Sequence, residues 1–221
     1  MLKNNLIYLK LKDKYLGFLD TGGGYTFLFR KDIQINKIKC IDIGCEADLF
    51  PKNVVLFVGN DYWKNKIYLF DYMNKKFKFV DTIPKNKLSY QMYYKNKNFS
   101  LLKVIFNDKN KMFLFDTGAM TIRNGKNYGI SFLDGNLFDN LDKKYKIIKN
   151  YDDDGSPCVI IPKIIIFGKI IRNVKFLRRN NNNFEKYMST ITGVKHVGAI
   201  GGNVLKYFTI YADFKNKKYW I

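Results

Sequence analysis

The tripeptide Asp-Thr-Gly occurs twice in the sequence, at Asp20–Gly22 and at Asp116–Gly118, and each copy follows a run of four mostly apolar residues. Burying a carboxylate at the end of an apolar strand is costly unless the group is paired or hydrogen-bonded. The threonine supplies a hydroxyl, and the glycine lets the backbone turn sharply and approach another segment closely. Each tripeptide is therefore interpreted as half of a reaction centre.

Two such loops that face each other across a two-fold axis would bring two carboxylates within hydrogen-bonding distance. Like charges that close cannot both ionise, so the pair shares one proton. The ionised member can then deprotonate a water while the protonated member polarises a carbonyl. A single Asp-Thr-Gly is weak evidence, because the residues suit any turn. The hypothesis depends on the second copy and on the similarity of the sequences around the two copies.

The sequences around the two copies are similar to each other, as expected of an internal repeat. Sliding the sequence by 96 residues places 6–22 over 102–118 without a gap, and sliding it by 142 places 59–79 over 201–221, again without a gap. We therefore predict a first unit over residues 1–80, a polar linker with Pro84 over 81–98, and a second unit over 99–221. The different offsets give the second unit 46 more residues between its two landmarks.

The residue pattern predicts an all-β fold. Phe, Tyr, Ile and Val are frequent, and short apolar or alternating segments run between polar turns, as is typical of strands. Each Asp-Thr-Gly ends a predicted hairpin. One short helix is expected in each unit, around Asp61–Lys66 and around Asn203–Phe208.

These segments resemble the retropepsin-like aspartic proteases, and the two-unit arrangement resembles the pepsin plan of two lobes in one chain. The matching residues are FLFDTGA at 113–119, AIGGNVLKYFTIYADFKNKKYWI at 199–221 and IIIFGKIIRNVKF at 164–176, with FLDTGG and FVGNDYWKNKIYLFDY in the first unit. The likeness covers most of the second unit and both ends of the first. It implies two pseudo-two-fold-related β-barrel units, with Asp20 and Asp116 as the catalytic pair.

The same resemblance gives roles to the residues around the pair. The threonines would lock the two loops through hydroxyl-to-backbone bonds, and the first glycines would shape the loops. Two later glycines would belong to segments that pass beneath them. These loop-supporting residues are Thr21, Gly22, Thr117, Gly118, Gly59 and Gly201.

Two features depart from the family pattern. Gly23 occupies the fourth position of the first motif, where the family usually has Ala, Ser or Thr. Only 36 residues separate Gly22 from Gly59, too few for a full substrate flap, whereas 82 separate Gly118 from Gly201. We therefore expect one flap, a hairpin around 151–159 in the second unit, although a solvated turn is the alternative for its acidic tip. The flap residues are Tyr151, Asp152, Asp153, Asp154 and Gly155.

The expected function is that of an aspartic endopeptidase that acts on a peptide or protein substrate, with a complete site in the monomer. The main alternative is an inactive module of the same fold that binds peptides without cleaving them. Gly23 and the short first unit favour this alternative.

Charge suggests a second alternative, a nucleic-acid-binding β protein, because the formal net charge is +20. The positive charge is mostly Lys spread along the chain, whereas recognition of nucleic acid favours clustered Arg and exposed aromatics. No nucleic-acid partner is therefore expected. No membrane segment is expected either, because no stretch approaches the roughly 18 uncharged apolar residues that a spanning helix needs.

Cofactor and metal chemistry have little support in the sequence. One histidine and three cysteines without a CxxC motif leave few metal ligands. We expect no metal, no cofactor, reduced thiols and a cytoplasmic location. His196 is interpreted as a surface or packing residue, and Asp71 and Asp213 as structural residues of hairpins.

Overall fold

A computed structural model describes residues 1–11, 14–29, 50–62, 66–93, 99–141, 143–179 and 183–221. These ranges contain nineteen strands and three short α-helices, so the described part of the chain is mostly β as predicted. Strand residues alternate between core and solvent where one face is buried. In the strand 101–106, for example, Leu102, Val104 and Phe106 are buried and Lys103 is exposed.

The N-terminal part forms an open sheet. Its strands are β1 (Leu2–Lys3), β2 (Leu6–Lys10), β3 (Leu16–Leu19), β4 (Phe27–Leu28) and β5 (Val54–Val58). Their order is β1-β2-β3-β5-β4, and β3 runs parallel to β5. Three further strands of this part belong to another sheet: β6 (Ile67–Asp71), β7 (Lys76–Val80) and β8 (Ser89–Gln91).

The C-terminal part forms a closed barrel. Its strands are β9 (Leu101–Phe106), β10 (Lys109–Phe115), β11 (Met120–Arg123), β12 (Lys126–Gly129), β13 (Ser131–Leu133), β14 (Lys146–Ile148), β15 (Cys158–Ile166), β16 (Lys169–Arg178) and β17 (Gly198–Ile200). Six strands follow one another in the order β9-β10-β17-β13-β16-β15, and β15 pairs with β9 to close the ring. Strand β14 extends the sheet from β15, and β11 pairs with β12 in a separate hairpin.

One barrel is therefore present among the described residues, and two were predicted. The described part of the first unit is the open five-stranded sheet. Residues 30–49, between β4 and β5, lie outside the described ranges.

The C-terminal unit holds α1 (Gly135–Asp139), α2 (Phe184–Thr192) and α3 (Gly202–Leu205). Only α3 falls where a helix was predicted, so the expectation of one helix in this unit is wrong. Helix α2 ends at Gly193, whose left-handed φ of 68° suits a residue without a side chain. Among its described residues the first unit has a 3₁₀ turn, Asn60–Tyr62, which overlaps the predicted segment 61–66. Residues 63–65 of that segment lie outside the described ranges.

A five-stranded sheet joins the two halves. Its last strands are β18 (Thr209–Asp213) and β19 (Lys218–Trp220), and its order is β7-β6-β18-β19-β8. Strands β6 and β18 are antiparallel, and their register is centred on the Leu69–Tyr211 pair. Strand β8 lies within 81–98, so part of the segment predicted as a linker is built into this sheet.

The hydrophobic core runs through the barrel into the joining sheet. The rings of Phe106, Phe113 and Phe176 fill the barrel, with centroids 5.7–5.9 Å apart. Phe115 lies 5.4 Å from Phe70 of the first half. Each fully buried phenylalanine contributes about 2 kcal/mol of transfer free energy. The strand that leads into Asp116 is thus anchored in the shared core.

Candidate active site

Both Asp-Thr-Gly loops leave a strand that pairs in parallel with a second strand, β3 with β5 and β10 with β17. The backbone N–H of Asp20 donates to the Val58 carbonyl at 3.0 Å, and that of Asp116 donates to the Ile200 carbonyl at 3.1 Å. Asp116 follows Asp20 by 96 positions and Ile200 follows Val58 by 142. The two bonds are therefore equivalent: their donors are related by the first sequence offset and their acceptors by the second.

The two threonines tie the loops together. The backbone N–H of Thr21 donates to the Thr117 hydroxyl at 3.1 Å, and the N–H of Thr117 donates to the Thr21 hydroxyl at 3.0 Å. The Thr21 hydroxyl donates to the Phe115 carbonyl at 2.7 Å and the Thr117 hydroxyl to the Leu19 carbonyl at 3.1 Å. Both threonines are fully buried. Each hydroxyl therefore accepts one bond and donates another, as the sequence resemblance implied.

The loops bring the two carboxyl groups face to face. A Cβ atom built on Gly22 would lie 2.4 Å from Cγ of Asp116, and one built on Gly118 would lie 2.2 Å from Cγ of Asp20. A side chain at either glycine would thus overlap the opposing carboxyl group. The two carboxyl groups also hydrogen-bond to each other.

Backbone N–H groups hold each carboxylate in place. Oδ1 of Asp20 accepts from Gly22 at 2.7 Å and from Gly23 at 3.0 Å. Oδ1 of Asp116 accepts from Gly118 at 3.1 Å. Each loop therefore folds around its own aspartate.

Burial raises the pKa of both carboxyl groups. The negative charge of Asp116 and the hydrogen bond between the two groups raise the pKa of Asp20 further, well above its usual range. The pKa of Asp116 is raised by burial, but the hydrogen bond from Asp20 and the Arg179 guanidinium oppose that rise. The pair therefore keeps one proton at a pH where a solvated aspartate has lost it.

Two close approaches of backbone segments explain the later glycines. A Cβ on Gly59 would lie 2.4 Å from the Tyr25 carbonyl oxygen, and one on Gly201 would lie 2.2 Å from the Ile130 carbonyl oxygen. No side chain fits at either position without moving the backbone. Each glycine thus lets the segment after β5 or β17 pass directly against the chain that leaves an Asp-Thr-Gly loop.

The unusual Gly23 has a local explanation. A Cβ at this position would lie 2.4 Å from the ring of Phe57, which stacks on Phe27 with centroids 4.9 Å apart. The aromatic ring thus occupies the space that a larger fourth residue would need. Gly23 is therefore compatible with a well-formed loop.

The predicted flap segment joins β14 to β15, and its acidic tip combines one buried aspartate with three exposed residues. Asp152 is buried and accepts from the Thr121 hydroxyl at 2.5 Å and from the Ser156 N–H at 2.7 Å. The exposed Asp153 carboxylate accepts from the N–H groups of Asn124 and Gly125 at 2.8 and 2.9 Å. The turn is thus fastened to the β11–β12 hairpin.

The rest of the predicted flap is exposed or half-buried. Tyr151 lies beneath Arg123, whose guanidinium is 4.8 Å from the ring, while Asp154 and Gly155 are exposed. The β11–β12 hairpin itself was not predicted, although its Asn124-Gly125 turn, with φ angles of 51° and 64°, is a hairpin signal. The idea that the first unit lacks a flap concerns residues that lie largely outside the described ranges.

Neither protein-family models nor curated proteins match this sequence. Among solved structures, the chain is similar to a retropepsin-like aspartic protease from Rickettsia conorii. The similarity has a TM-score of 0.39 and 14% sequence identity, and it covers 63% of this chain and 95% of that protease.

The structure also reveals a buried charge cluster that the sequence reasoning missed. Nε of Arg179 lies 2.9 Å from Oε1 of Glu185, whose residue is 3% exposed. His196 is buried nearby, and burial together with the Arg179 charge lowers its pKa to about 4. No spacing rule connects these residues, because 179 follows a strand, 185 is on a helix and 196 precedes another strand.

The remaining candidates have structural partners. Oδ1 of Asp71 accepts from the Asn74 N–H at 3.1 Å, and Oδ1 of Asp213 accepts from the Asn216 N–H at 2.9 Å, so both aspartates close hairpin turns. Within the described ranges, no group of three or more His, Cys, Asp or Glu side chains could hold a metal ion. The same ranges contain no helix that is long and apolar enough to cross a membrane.

Proposed function

We propose that this chain is an aspartic endopeptidase built from two tandem units, 1–80 and 99–221, with Asp20 and Asp116 as its catalytic residues. The supporting observation is the pair of carboxyl groups held face to face by the reciprocal threonine bonds. Such a pair carries one proton and can act as acid and base at once.

In the proposed reaction a water molecule lies between the two carboxyl groups. The ionised carboxylate takes a proton from this water, and the oxygen of the water bonds to the carbonyl carbon of the peptide. The protonated carboxyl group gives its proton to the carbonyl oxygen, which yields a tetrahedral diol. The C–N bond then breaks as a carboxyl proton passes to the nitrogen and a hydroxyl proton returns to a carboxylate.

The substrate would be a peptide or protein that lies across the carboxyl pair. We propose that the turn 151–155 covers it, with the β11–β12 hairpin as its support. Both carboxyl groups belong to one chain, so a monomer would hold a complete site. Activity per mole should then stay constant on dilution, and a steep loss at low concentration would indicate a site formed between chains.

The direct test is cleavage of a mixed peptide library between about pH 3 and pH 8 by the wild type, Asp20→Asn and Asp116→Asn. We expect a bell-shaped profile with a mildly acidic optimum, because neither Gly23 nor Ala119 offers a hydroxyl to lower the first pKa of the pair. Each variant should lose at least about 10³-fold in rate. Asp61→Asn, at an exposed position, serves as the matched control.

The inactive binding module remains the alternative. It is favoured if the wild type binds peptides but is as inert as both variants, or if Asp20→Asn cleaves as well as the wild type. Peptide binding by fluorescence anisotropy should therefore accompany the cleavage assay.

A further inference from the structure

Arg179 lies at the end of β16, which β13 and β17 separate from β10, the strand that leads into Asp116. Its backbone N–H donates to the Leu133 carbonyl at 3.0 Å. The guanidinium is held over two rings, 4.5 Å from the centroid of Phe132 and 4.1 Å from that of Phe184. With Glu185 on its Nε, the side chain is fixed on three sides and only 18% exposed.

The strand register places this guanidinium on the face of the barrel that leads to Asp116. Phe132 pairs with Ala199 across β13 and β17, and Ala199 pairs with Leu114 across β17 and β10. Paired residues on adjacent strands share a face, and so do residues two apart on one strand. Leu114 and Asp116 therefore share the face on which Arg179 covers Phe132.

Other charged and titratable groups face the same cluster. Glu185 is on α2, His196 precedes β17, and Asp134 caps the N-terminus of α1. The pKa of His196 is lowered to about 4, so this histidine is neutral over most of the working range. Asp20 is the other member of the carboxyl pair. Tyr72 is buried, and the negative charge of Asp116 acts together with this burial to raise its pKa.

We propose that Arg179 is a positioning residue that makes the carboxyl pair unequal: its charge holds Asp116 in the ionised form and leaves the shared proton on Asp20. The catalytic part of this inference rests on the proposed function, in which Asp116 then activates the water and Asp20 polarises the carbonyl. The electrostatic part does not rest on it. A cation on one side of a symmetric pair favours the anion nearest to it, whether or not a peptide is cleaved.

The test is a titration of the two carboxyl groups by ¹³C NMR on aspartate-labelled protein. Arg179→Gln should move the first deprotonation of the pair upward by about one pH unit. Glu185→Gln should move it in the opposite direction, because the removed anion no longer offsets the Arg179 charge. Arg178→Gln is the matched control, since it removes the same charge one residue away, from an arginine whose Nε and Nη2 both bind Asp139 at 2.8 Å.

The inference is overturned if Arg179→Gln leaves the titration unchanged, or if Arg178→Gln moves it by as much. Arg179→Gln leaves Glu185 buried without its cation, so circular dichroism should confirm its fold. If it does not fold, the double variant Arg179→Gln/Glu185→Gln takes its place, and its first deprotonation should still lie above that of Glu185→Gln; no difference between these two variants would overturn the inference.

Cleavage assays separate this inference from the proposed function. If the chain cleaves peptides, the whole bell-shaped profile of Arg179→Gln should move upward with the titration, and Arg179→Lys should restore part of the difference. If the wild type is inert, the proposed function fails, but the NMR shifts still decide whether Arg179 polarises the pair.

Discussion

Thr21 and Thr117 bind each other reciprocally, because the backbone N–H of each donates to the hydroxyl of the other at 3.1 and 3.0 Å. The hydroxyls then donate to carbonyls of the opposite strands. Four buried hydrogen bonds thus depend on two side chains.

The valine variants Thr21→Val and Thr117→Val test this arrangement. Valine keeps the shape but leaves a buried N–H and a buried carbonyl unpaired, so each variant should lose about 1–3 kcal/mol in free energy of unfolding. Thr190→Val, at an exposed position on α2, should stay within about 0.5 kcal/mol of the wild type. Urea denaturation measures the free energy of unfolding of all three variants. Equal losses at the three positions would contradict a stabilising role for the buried threonine bonds.

A single methyl group should separate the carboxyl pair. Gly22→Ala places its Cβ 2.4 Å from Cγ of Asp116, so the loops must move apart and cleavage should fall by at least about 100-fold. Gly24→Ala is the control in the same loop, because its Cβ would meet Phe99 at an ordinary 3.6 Å. The prediction fails if the two variants cleave the peptide library equally well.

The raised pKa values predict how stability depends on pH. Folded Asp20 binds its proton more tightly than the unfolded chain does. Its burial therefore costs nothing below the unfolded pKa, near 4, and destabilises the fold increasingly as pH rises toward the folded value. Asp20→Asn removes this cost, so it should gain stability over the wild type at pH 7 and show a smaller gain at pH 3. Denaturation at both pH values measures the difference, and a gain that is larger at pH 3 would contradict it.

The fastened turn at Asp152 gives a prediction about substrate affinity. Asp152→Ala leaves the Thr121 hydroxyl and the Ser156 N–H without their buried acceptor, so the turn should come loose from the β11–β12 hairpin. We expect KM to rise several-fold with a smaller change in kcat. Asp154→Ala, at an exposed position of the same turn, breaks no such bond and should raise KM less than Asp152→Ala does. Unaltered kinetics of Asp152→Ala would exclude the turn from substrate binding.

The sequence predicted the parts of the site that depend on local repetition. Both hairpins that lead into the Asp-Thr-Gly loops, and the segments of Gly59 and Gly201 beside them, followed from two ungapped offsets. An ungapped alignment of two segments predicts that their strands pair in the same register, because strands pair residue by residue.

The parts that depend on contacts between distant segments were not predicted. Helix α2 packs Phe184 and Met188 against Leu114, and this i, i+4 spacing is visible in the sequence, but no helix was predicted there. The position of Arg179 on the same face of the barrel as Asp116 follows from the order β16-β13-β17-β10, which no local pattern encodes. The Phe57 ring that accounts for Gly23 is likewise 34 residues away in the chain.

The joining sheet has a consequence for folding kinetics. Its contact between Thr209 and Asp71 spans 138 residues, and the threonine bonds at the centre span 94–98. Pairings at such separations require the closure of long loops before any contact compensates for the lost entropy, so chains of high contact order fold slowly. Local hairpins should therefore form first, in a state that holds two distant aspartates and no carboxyl pair. The carboxyl pair would then form late in folding, in the same step in which the two halves of the chain come together.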